Sequence, residues 1–479
     1  MHFRMILHTL GTVLLLLALT MVFPLFWAIW DQSPGVTAFV VSILVTAGVG
    51  LLMKMVRPSG NLSRRDGFAI VGLGWLLIAG LGALPLYLSG VTPSYTDAFF
   101  ESMSGFTTTG ATILSNLEAV PREVLFWRSL SHWLGGMGII LLSLAIFPIL
   151  PTGITLFQAE VPGLAPERIL PRLKQTAVAM WLIYAALSLL QMVALSLAGL
   201  SFFESLIHTL GTVSTGGFSS RDLSVQAFAN GTVEWVVTIF MFLSGVNFTL
   251  YYRLFRRKSL QRSFAATEFK WYGLIILSAA ALIAYSLMAG MGFSPAAAVR
   301  HGLFQAVSVC TTTGFASANF DTWPSLAKGV LFLLMFVGGC TGSTAGSLKV
   351  ARVVLLFKYA LRRIRQTARP RLVIQTRFGE TAVSDRILHE TLSFFFLYIA
   401  LFLGGVLTIM GTGEEMLTSI SAAAAAIGNV GPGFAGVGPA ANYAHLHPVA
   451  KWVLSFLMLA GRLEILTVLI LLTPGFWRR

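Results

Sequence analysis

Charged residues are scarce in this chain. Asp, Glu, Lys and Arg make up 11% of its 479 residues, whereas hydrophobic residues make up 56%. About a quarter of the residues in a soluble domain are charged, so this composition excludes a soluble domain and indicates a protein that crosses a membrane several times. Cysteine is also rare, and the positions of Cys310 and Cys340 within apolar stretches exclude a disulfide framework.

Acidic residues are fewer than basic ones, 19 against 33, which leaves a net charge of +14. Such a charge can indicate a nucleic-acid partner, but here the basic residues gather in particular loops between apolar runs, as the positive-inside rule describes. We therefore expect no nucleic-acid partner. The histidines form no cluster with ligand spacing and no carboxylate pair has a catalytic spacing, so we expect neither an enzyme nor an organic cofactor.

Long hydrophobic runs are abundant. A bilayer core of about 30 Å takes about 20 apolar residues per helix. Shorter apolar pieces lie between some of the long ones, and these are too short to cross, so we predict re-entrant half-helices. The long runs lie near 5–29, 36–56, 67–90, 122–149, 176–200, 231–255, 270–292, 325–361 (interrupted), 388–411 and 446–474, and the short pieces near 95–106, 201–212, 296–310 and 414–427.

The placement of charge predicts the orientation. Basic residues concentrate in the loops at 54–65, 253–262 and 349–386 and at the chain end, Arg478–Arg479, whereas the intervening loops are poorer in them. The positive-inside rule places these basic segments, and with them both termini, in the cytoplasm. Each short apolar piece then enters from the outer face.

The order long helix, half-helix, polar turn, long helix occurs four times after two extra helices. We predict an all-α membrane protein in which four tandem helix–pore-loop–helix modules surround a pseudo-fourfold axis, preceded by two transmembrane helices. The predicted units are an N-terminal extension at 1–65 and pore modules at 66–155, 170–262, 265–365 and 386–479.

The polar turns of the four modules resemble one another. The first and third contain Thr-Thr-Thr-Gly, at 107–110 and 311–314, and Phe100 and Ser104 upstream match Phe304 and Ser308. The second module supplies Ser214, Thr215 and Gly216, and the fourth supplies Asn429, Val430 and Gly431. We therefore align Gly110, Gly216, Gly314 and Gly431 as the key glycines of the four turns.

A repeated polar turn at membrane depth indicates an ion pathway. Irregular backbone is tolerated there only where it is buried or lines a wet cavity, and rings of main-chain carbonyls can replace the hydration shell of an alkali cation. Glycine permits the unusual backbone, and the C-terminal ends of the short helices favour a cation. The alternative is small-residue helix packing. One key glycine per turn, where TVGYG has two, predicts weaker discrimination among cations.

Two further features indicate a gate below these turns. The segment GGCTGSTAGSLK at 338–349 interrupts the inner helix of the third module, because glycine destabilises a helix by up to about 1 kcal/mol. We expect a flexible intramembrane loop there, including Gly342, Ser343, Thr344, Gly346 and Lys349. Tight packing of small residues is the alternative.

Arg462 is the second feature, because it lies midway along the last apolar run. A charge at that depth costs about 2.5–3.5 kcal/mol, so we expect it to face a wet pore and to act as an electrostatic barrier to cations. A structural ion pair is the alternative. Glu464 lies only two residues away, on another helix face, so we expect it to pair with a different helix.

Seven sequence runs together resemble the Trk/Ktr/HKT superfamily of cation transporters, and the two extra N-terminal helices resemble its TrkH branch. The runs are FFESMSGFTTTGAT, HWLGGMGI, STGGFS, TTTGF, GGCTGSTAGSLKV, GNVGPG and AGRLEI. The resemblance implies potassium uptake across a bacterial inner membrane, a homodimer with one pore per protomer, and a cytosolic nucleotide-binding regulatory subunit of the TrkA type. It also implies that carbonyls of the filter bind K⁺; these would belong to Thr108, Thr109, Ser214, Thr215, Thr312, Thr313, Asn429 and Val430.

Two questions stay open from the sequence. Proton or sodium coupling would make the protein a symporter, although four repeats of one orientation disfavour rocking-type transport. Glu101 in the first short helix lies close enough to the polar turn to be considered as a protonatable group. The basic segment 362–386 is either a lipid-facing patch or the docking site of the regulatory subunit.

Overall fold

The computed structural model describes residues 1–58, 63–138, 173–255, 264–371, 374–379 and 381–477. The N-terminal extension contains two antiparallel spans, as predicted: Phe3–Thr20 continues with a slight break into Val22–Trp30, and Gly35–Met55 returns. Parts of the predicted modules, 139–155, 170–172 and 256–262, lie outside the described residues, as do Arg478 and Arg479.

Within the described residues, six helices are long and apolar enough to cross a membrane, or seven if one broken helix counts as a span. Four of the six begin the modules as outer helices. The first outer helix is Arg64–Gly82, extended by Leu84–Leu88, and the other three are Leu173–Leu197, Phe264–Met291 and Asp385–Gly411.

A short pore helix follows each outer helix, within two residues of its predicted position. These pore helices are Tyr95–Phe106, Phe202–Val213, Pro295–Cys310 and Met416–Gly428. Serines 94, 201 and 294 cap the first three, since each side chain accepts a hydrogen bond from the N–H three residues later. At 1.5 Å per residue, helices of 12–16 residues are about 18–24 Å long. They therefore cannot cross the bilayer.

The inner helices of the second, third and fourth modules are interrupted. The third module breaks as predicted, but the second and fourth also break, so the continuous helices predicted at 231–255 and 446–474 are wrong. In the fourth module the two parts meet at 119°. The inner helices comprise Arg122–Gly136 in module 1, Gly231–Ser244 with Phe248–Phe255 in module 2, Ser325–Leu334 with Val350–Ala368 in module 3, and Pro448–Arg462 with Ile465–Leu471 in module 4.

Glycine explains why the inner helices come so close to the pore helices. A Cβ on Gly135 would overlap the carbonyl oxygen of Phe106, the last residue of the first pore helix. A Cβ on Gly461 would overlap the carbonyl oxygen of Ile427 in the same way. Each of these two inner helices therefore rests directly on the backbone at the end of its pore helix.

Short elements complete the fold. A 3₁₀ turn follows each filter turn, and these turns are Leu117–Ala119, Ser224–Phe228, Phe320–Thr322 and Ala435–Val437. On the side predicted to be cytoplasmic, the strands Arg377–Phe378 and Thr381–Ala382 form an antiparallel hairpin, and Pro474–Trp477 is the last helical turn.

Hydrogen bonds among the outer loops connect each module to the next. They link modules 1 and 2, 2 and 3, 3 and 4, and 4 and 1, so the four modules close into a ring. In that order the bonds are Leu117 N–H to Asp222 Oδ1 (2.9 Å), Gln226 N–H to Ala316 O (3.1 Å), Ala435 N–H to Asp321 Oδ2 (3.2 Å) and Tyr443 N–H to Thr112 O (2.8 Å).

Candidate ion pathway

The four pore helices end in the same hydrogen-bonded turn. One residue adopts the left-handed conformation and donates its N–H to the carbonyl three residues earlier, and the next residue donates to the carbonyl five residues earlier. This is the Schellman motif, with bonds of 2.8–3.1 Å in all four copies. The left-handed residues are Thr108, Thr215, Thr312 and Asn429, with φ of 52°, 56°, 57° and 54°.

A non-glycine residue at this left-handed position is unusual. The conformation costs an L-residue about 1–2 kcal/mol, and such strain persists where the surrounding structure enforces it, often at functional sites. The sequence predicted an unusual backbone conformation only at the glycines, and the left-handed residue two positions earlier was missed. The signal was nevertheless present, because a polar Thr or Asn stands two residues before a glycine in all four modules.

A second left-handed position follows, and glycine occupies it in every module. Gly110, Gly217, Gly314 and Gly431 have φ of 81°, 80°, 80° and 97°. A Cβ on each would overlap the backbone of the neighbouring module. In chain order the nearest atoms belong to the carbonyls of Gly216, Thr313, Val430 and Thr109, so the contacts run around a closed ring.

The structure therefore corrects the predicted register of the second turn. Gly217, and not Gly216, is the equivalent of Gly110. Ser214 therefore corresponds to Thr107, before the left-handed residue. The two residues that precede the key glycine in the second turn are Thr215 and Gly216, instead of the predicted Ser214 and Thr215. The second module carries two consecutive glycines, and the sequence alignment chose the first. A Cβ on Gly216 would overlap the imidazole of His132, which explains the extra glycine.

A half-open cavity adjoins the ring. Its lining includes Gly110, Gly217, Gly314 and Pro432, one residue from each module. The four turns therefore surround one passage, as the fold class predicted. Among the described residues, no group of three or more His, Cys, Asp or Glu side chains could hold a metal ion.

The intramembrane loop lies directly below the ring. Gly346 donates its N–H to Thr312 Oγ1 (2.7 Å), and Thr344 Oγ1 donates to the carbonyls of Val213 (3.2 Å) and Ser244 (3.3 Å). A Cβ on Gly346 would come within 2.7 Å of the Gly428 carbonyl oxygen. The loop therefore touches the ends of the second, third and fourth pore modules.

Of the other predicted gate residues, Gly342 contacts the second module, whereas Ser343 and Lys349 make contacts within the loop. Gly342 accepts a hydrogen bond from the N–H of Phe248 at 3.1 Å, and Ser343 Oγ donates to the carbonyl of Cys340 at 2.6 Å. Lys349 donates from Nζ to the carbonyl of Ala345. All five predicted loop residues therefore lie in one compact segment beside the passage.

Arg462 bridges this loop and the first inner helix. Its guanidinium donates to the carbonyl of Thr344 at 2.6 Å and to those of Gly135 and Gly136 at 2.7 and 2.9 Å. The last carbonyls of a helix carry partial negative charge, which a cation stabilises. As expected, Glu464 pairs with another helix: its Oε2 lies 2.6 Å from Arg352 Nη2.

A buried ion pair supports the first filter turn from behind. Arg128 Nε lies 2.7 Å from Glu101 Oε1, and both side chains are buried. Glu101 also accepts from the hydroxyl of Thr112, and Arg128 stacks over the ring of Phe218 at 4.1 Å. The Glu101 carboxylate beside this turn is therefore paired with a cation.

These features define a class: membrane proteins in which four like modules enclose a single central passage. The model of the TrkH family, described as cation transport protein, matches residues 34–476. The chain belongs to this family, which is one of transporters rather than enzymes.

Comparisons with individual proteins agree. The chain is 38% identical to the Trk system potassium uptake protein TrkH of Halomonas elongata and 37% identical to that of Escherichia coli K12, over the full length of both chains in each case. It is also similar to the crystal structure of the potassium transporter TrkH from Vibrio parahaemolyticus. That match has a TM-score of 0.90 and 35% identity and covers all of both chains.

Proposed function

We propose that this chain takes up potassium across the bacterial inner membrane through a channel-like pore. The observation that carries the proposal is the ring of four Schellman turns around one passage. Potassium uptake is the named activity of the relatives, and their full-length similarity supports K⁺ as the permeant ion here.

The filter would bind the ion through main-chain carbonyls. With the corrected register of the second turn, the carbonyls belong to the left-handed residue of each turn and to the residue after it. The glycines that follow permit the close approach of neighbouring modules; they are Gly110, Gly217, Gly314 and Gly431. Carbonyl oxygens at this spacing replace water around a dehydrated cation, and four pore-helix C-termini add negative potential. The proposed carbonyl donors are Thr108, Thr109, Thr215, Gly216, Thr312, Thr313, Asn429 and Val430.

The gate would consist of the loop at 338–349 together with Arg462. The loop lies under the filter, and Arg462 joins it to the first inner helix through three carbonyls. A guanidinium in a pore repels cations electrostatically. Opening would move the loop and the guanidinium away from the passage.

Partners and orientation complete the proposal. The chain would form a homodimer in the lipid bilayer with both termini in the cytoplasm. A nucleotide-binding regulatory subunit of the TrkA type would act on the gate from the cytoplasmic side. The basic helix Val350–Ala368 continues directly from the loop, so a partner docked on it could pull on the gate.

A proton- or sodium-coupled symporter is the second candidate. Coupling to protons needs an ionisable group that changes state along the pathway, and Glu101 is a carboxylate that contacts the residues following the first turn. Its 2.7 Å pairing with Arg128 in a buried site favours a structural role. The geometry therefore supports a channel-like pore over a symporter.

Reconstitution tests the proposal. The purified full chain in liposomes, loaded with defined K⁺, Rb⁺, Na⁺ and pH gradients, is expected to pass K⁺ and Rb⁺ down their own electrochemical gradients without a second gradient. Flux that requires a proton or sodium gradient would establish the symporter instead. No K⁺ flux under any gradient, with or without the regulatory subunit, would exclude both.

A further inference from the structure

The intramembrane loop has a closed neck. Gly338 donates its N–H to the carbonyl of Leu348 at 2.7 Å, and Val350 donates to that of Gly339 at 3.2 Å. The two ends of the segment therefore meet, and the residues between them form a compact loop of the Ω type. Such a loop can move as one body only while its neck stays closed.

Glu268 sits at this neck, although it belongs to the outer helix of the third module. A single carboxylate oxygen, Oε1, accepts three hydrogen bonds from the two ends of the loop. Two come from Thr341, through N–H at 2.8 Å and Oγ1 at 3.0 Å, and the third comes from the N–H of Ala351 at 3.1 Å. One side chain thus joins residues ten positions apart.

The physical chemistry makes this attachment strong. A buried ionisable group is costly unless hydrogen bonds or charges compensate it, and Glu268 is fully buried. Ala351 lies in the first turn of Val350–Ala368, where free N–H groups and the helix dipole favour an anion. A typical hydrogen bond contributes about 0.5–1.5 kcal/mol, so releasing the loop from Glu268 means the loss of three such contributions together.

We propose that Glu268 is the positioning residue of the gate: its carboxylate holds both ends of the intramembrane loop, and pore opening breaks these bonds. This inference rests on the proposed gating function. Glu268 contacts no filter residue among the bonds that the structure describes, so it acts on permeation only through the loop. Its loss should loosen the loop and leave the filter intact.

Cys340 provides a native reporter, because it is buried beside Thr341 and its N–H bonds to the carbonyl of Gly245 at 2.9 Å. In a Cys310→Ala background it is the single thiol of the full chain. We would measure its modification by a membrane-permeant maleimide in liposomes, together with Rb⁺ influx. The variants are Glu268→Ala, Glu268→Gln and Thr341→Val.

Glu268→Ala is expected to accelerate modification of Cys340 at least about tenfold, because three hydrogen bonds of about 0.5 kcal/mol or more each are lost. It should also raise basal Rb⁺ influx without a change in the K⁺/Rb⁺ ratio. Glu268→Gln, which keeps an acceptor oxygen, should restore most of the protection. Ser278→Ala is the matched control. Its hydroxyl lies on the same helix as Glu268 and donates to the carbonyl of Ile275, within that helix.

If the rate of Cys340 modification in Glu268→Ala equals that of the parent chain, the inference is overturned, whatever the Rb⁺ influx. If Glu268→Ala fails to fold, Thr341→Val decides, because it removes only the hydroxyl bond; modification equal to that of the parent then rejects the role. Absent Rb⁺ influx in the unmutated chain would instead count against the proposed function, while the thiol measurement would still test the neck.

Discussion

Gly346 in the intramembrane loop donates its N–H to Thr312 Oγ1 in the third filter turn, with a nitrogen–oxygen distance of 2.7 Å. Thr312 is one of the four left-handed residues that end the pore helices. The proposed gate and the proposed filter are therefore in direct contact, and displacement of the loop removes a hydrogen-bond donor from the inner end of the filter.

Thr312→Val tests this contact. Valine keeps the branched shape but cannot accept the hydrogen bond, so the loop should be less firmly held. With a typical net hydrogen-bond contribution of about 1 kcal/mol, basal Rb⁺ influx in liposomes should rise about fivefold. Thr312→Ser retains the hydroxyl and should behave like the parent chain. Equal influx in both variants would show that the bond does not hold the loop.

The corrected register of the second filter turn predicts the effect of Gly217→Ala. A Cβ at position 217 would overlap the carbonyl of Thr313, and the left-handed backbone adds strain of about 1–2 kcal/mol. The ring should distort, and K⁺ flux should fall by more than about tenfold, since a lost site in the pore costs more than strain alone. Flux assays with K⁺ and Na⁺ measure both the loss and any change in selectivity.

Gly199→Ala is the matched control for that substitution. Gly199 also has a left-handed backbone, with φ of 98°, but no atom lies within 4 Å of a Cβ added there. It carries the backbone strain without the overlap, so its flux should stay near that of the parent. A similar loss in both variants would mean that strain, and not contact between modules, explains the effect.

The parts of the fold that depend on local sequence were predictable. The pore helices lie within two residues of their predicted positions, because the short apolar runs that predicted them are local signals. The breaks in the second and fourth inner helices were missed because the apolar runs continue across them. A signal existed, because glycine lies at both breaks: Gly245 follows Ser244 in the second module, and Gly461 precedes Arg462 in the fourth.

Contacts between distant residues were not predictable from one sequence. The second module has glycine at both 216 and 217, and the reason for the glycine at 216 is the imidazole of His132, which lies on another helix. Glu268 carries no motif of its own and is distinguished only by the loop ends that meet it about seventy to eighty residues later. Local patterns thus predicted the modules and the turns, whereas the packing that holds the turns required the structure.

His132 and Gly216 form a complementary pair that a double-mutant cycle can measure. The imidazole occupies the space of a side chain at 216, bonds to the Gly105 carbonyl at 2.7 Å and stacks on Phe218 at a centroid distance of 4.0 Å. Gly216→Ala should destabilise the protein by about 1–3 kcal/mol through overpacking. In a His132→Ala background the same substitution should cost less, because the space is then free.

Thermal unfolding in detergent gives the four stabilities of this cycle. A coupling of at least about 0.5 kcal/mol is expected for residues in contact. Gly329→Ala serves as a control substitution, since nothing lies within 4 Å of its added Cβ, and it should show no coupling to His132. Additive effects of Gly216→Ala and His132→Ala would contradict the packing explanation of the double glycine.

Arg462 allows the barrier role to be separated from a structural role. Arg462→Ala removes the charge and the three carbonyl contacts, so it should raise K⁺ flux and also lower thermal stability. Arg462→Lys keeps the charge but, as a compact ammonium, cannot reproduce the fork of donors; it should lower stability while flux stays near that of the parent. Arg122→Ala is the control, because this exposed guanidinium pairs with Asp31 at the outer face. If Arg462→Ala is less stable but conducts like the parent chain, the guanidinium only ties the loop to the first inner helix and does not repel cations.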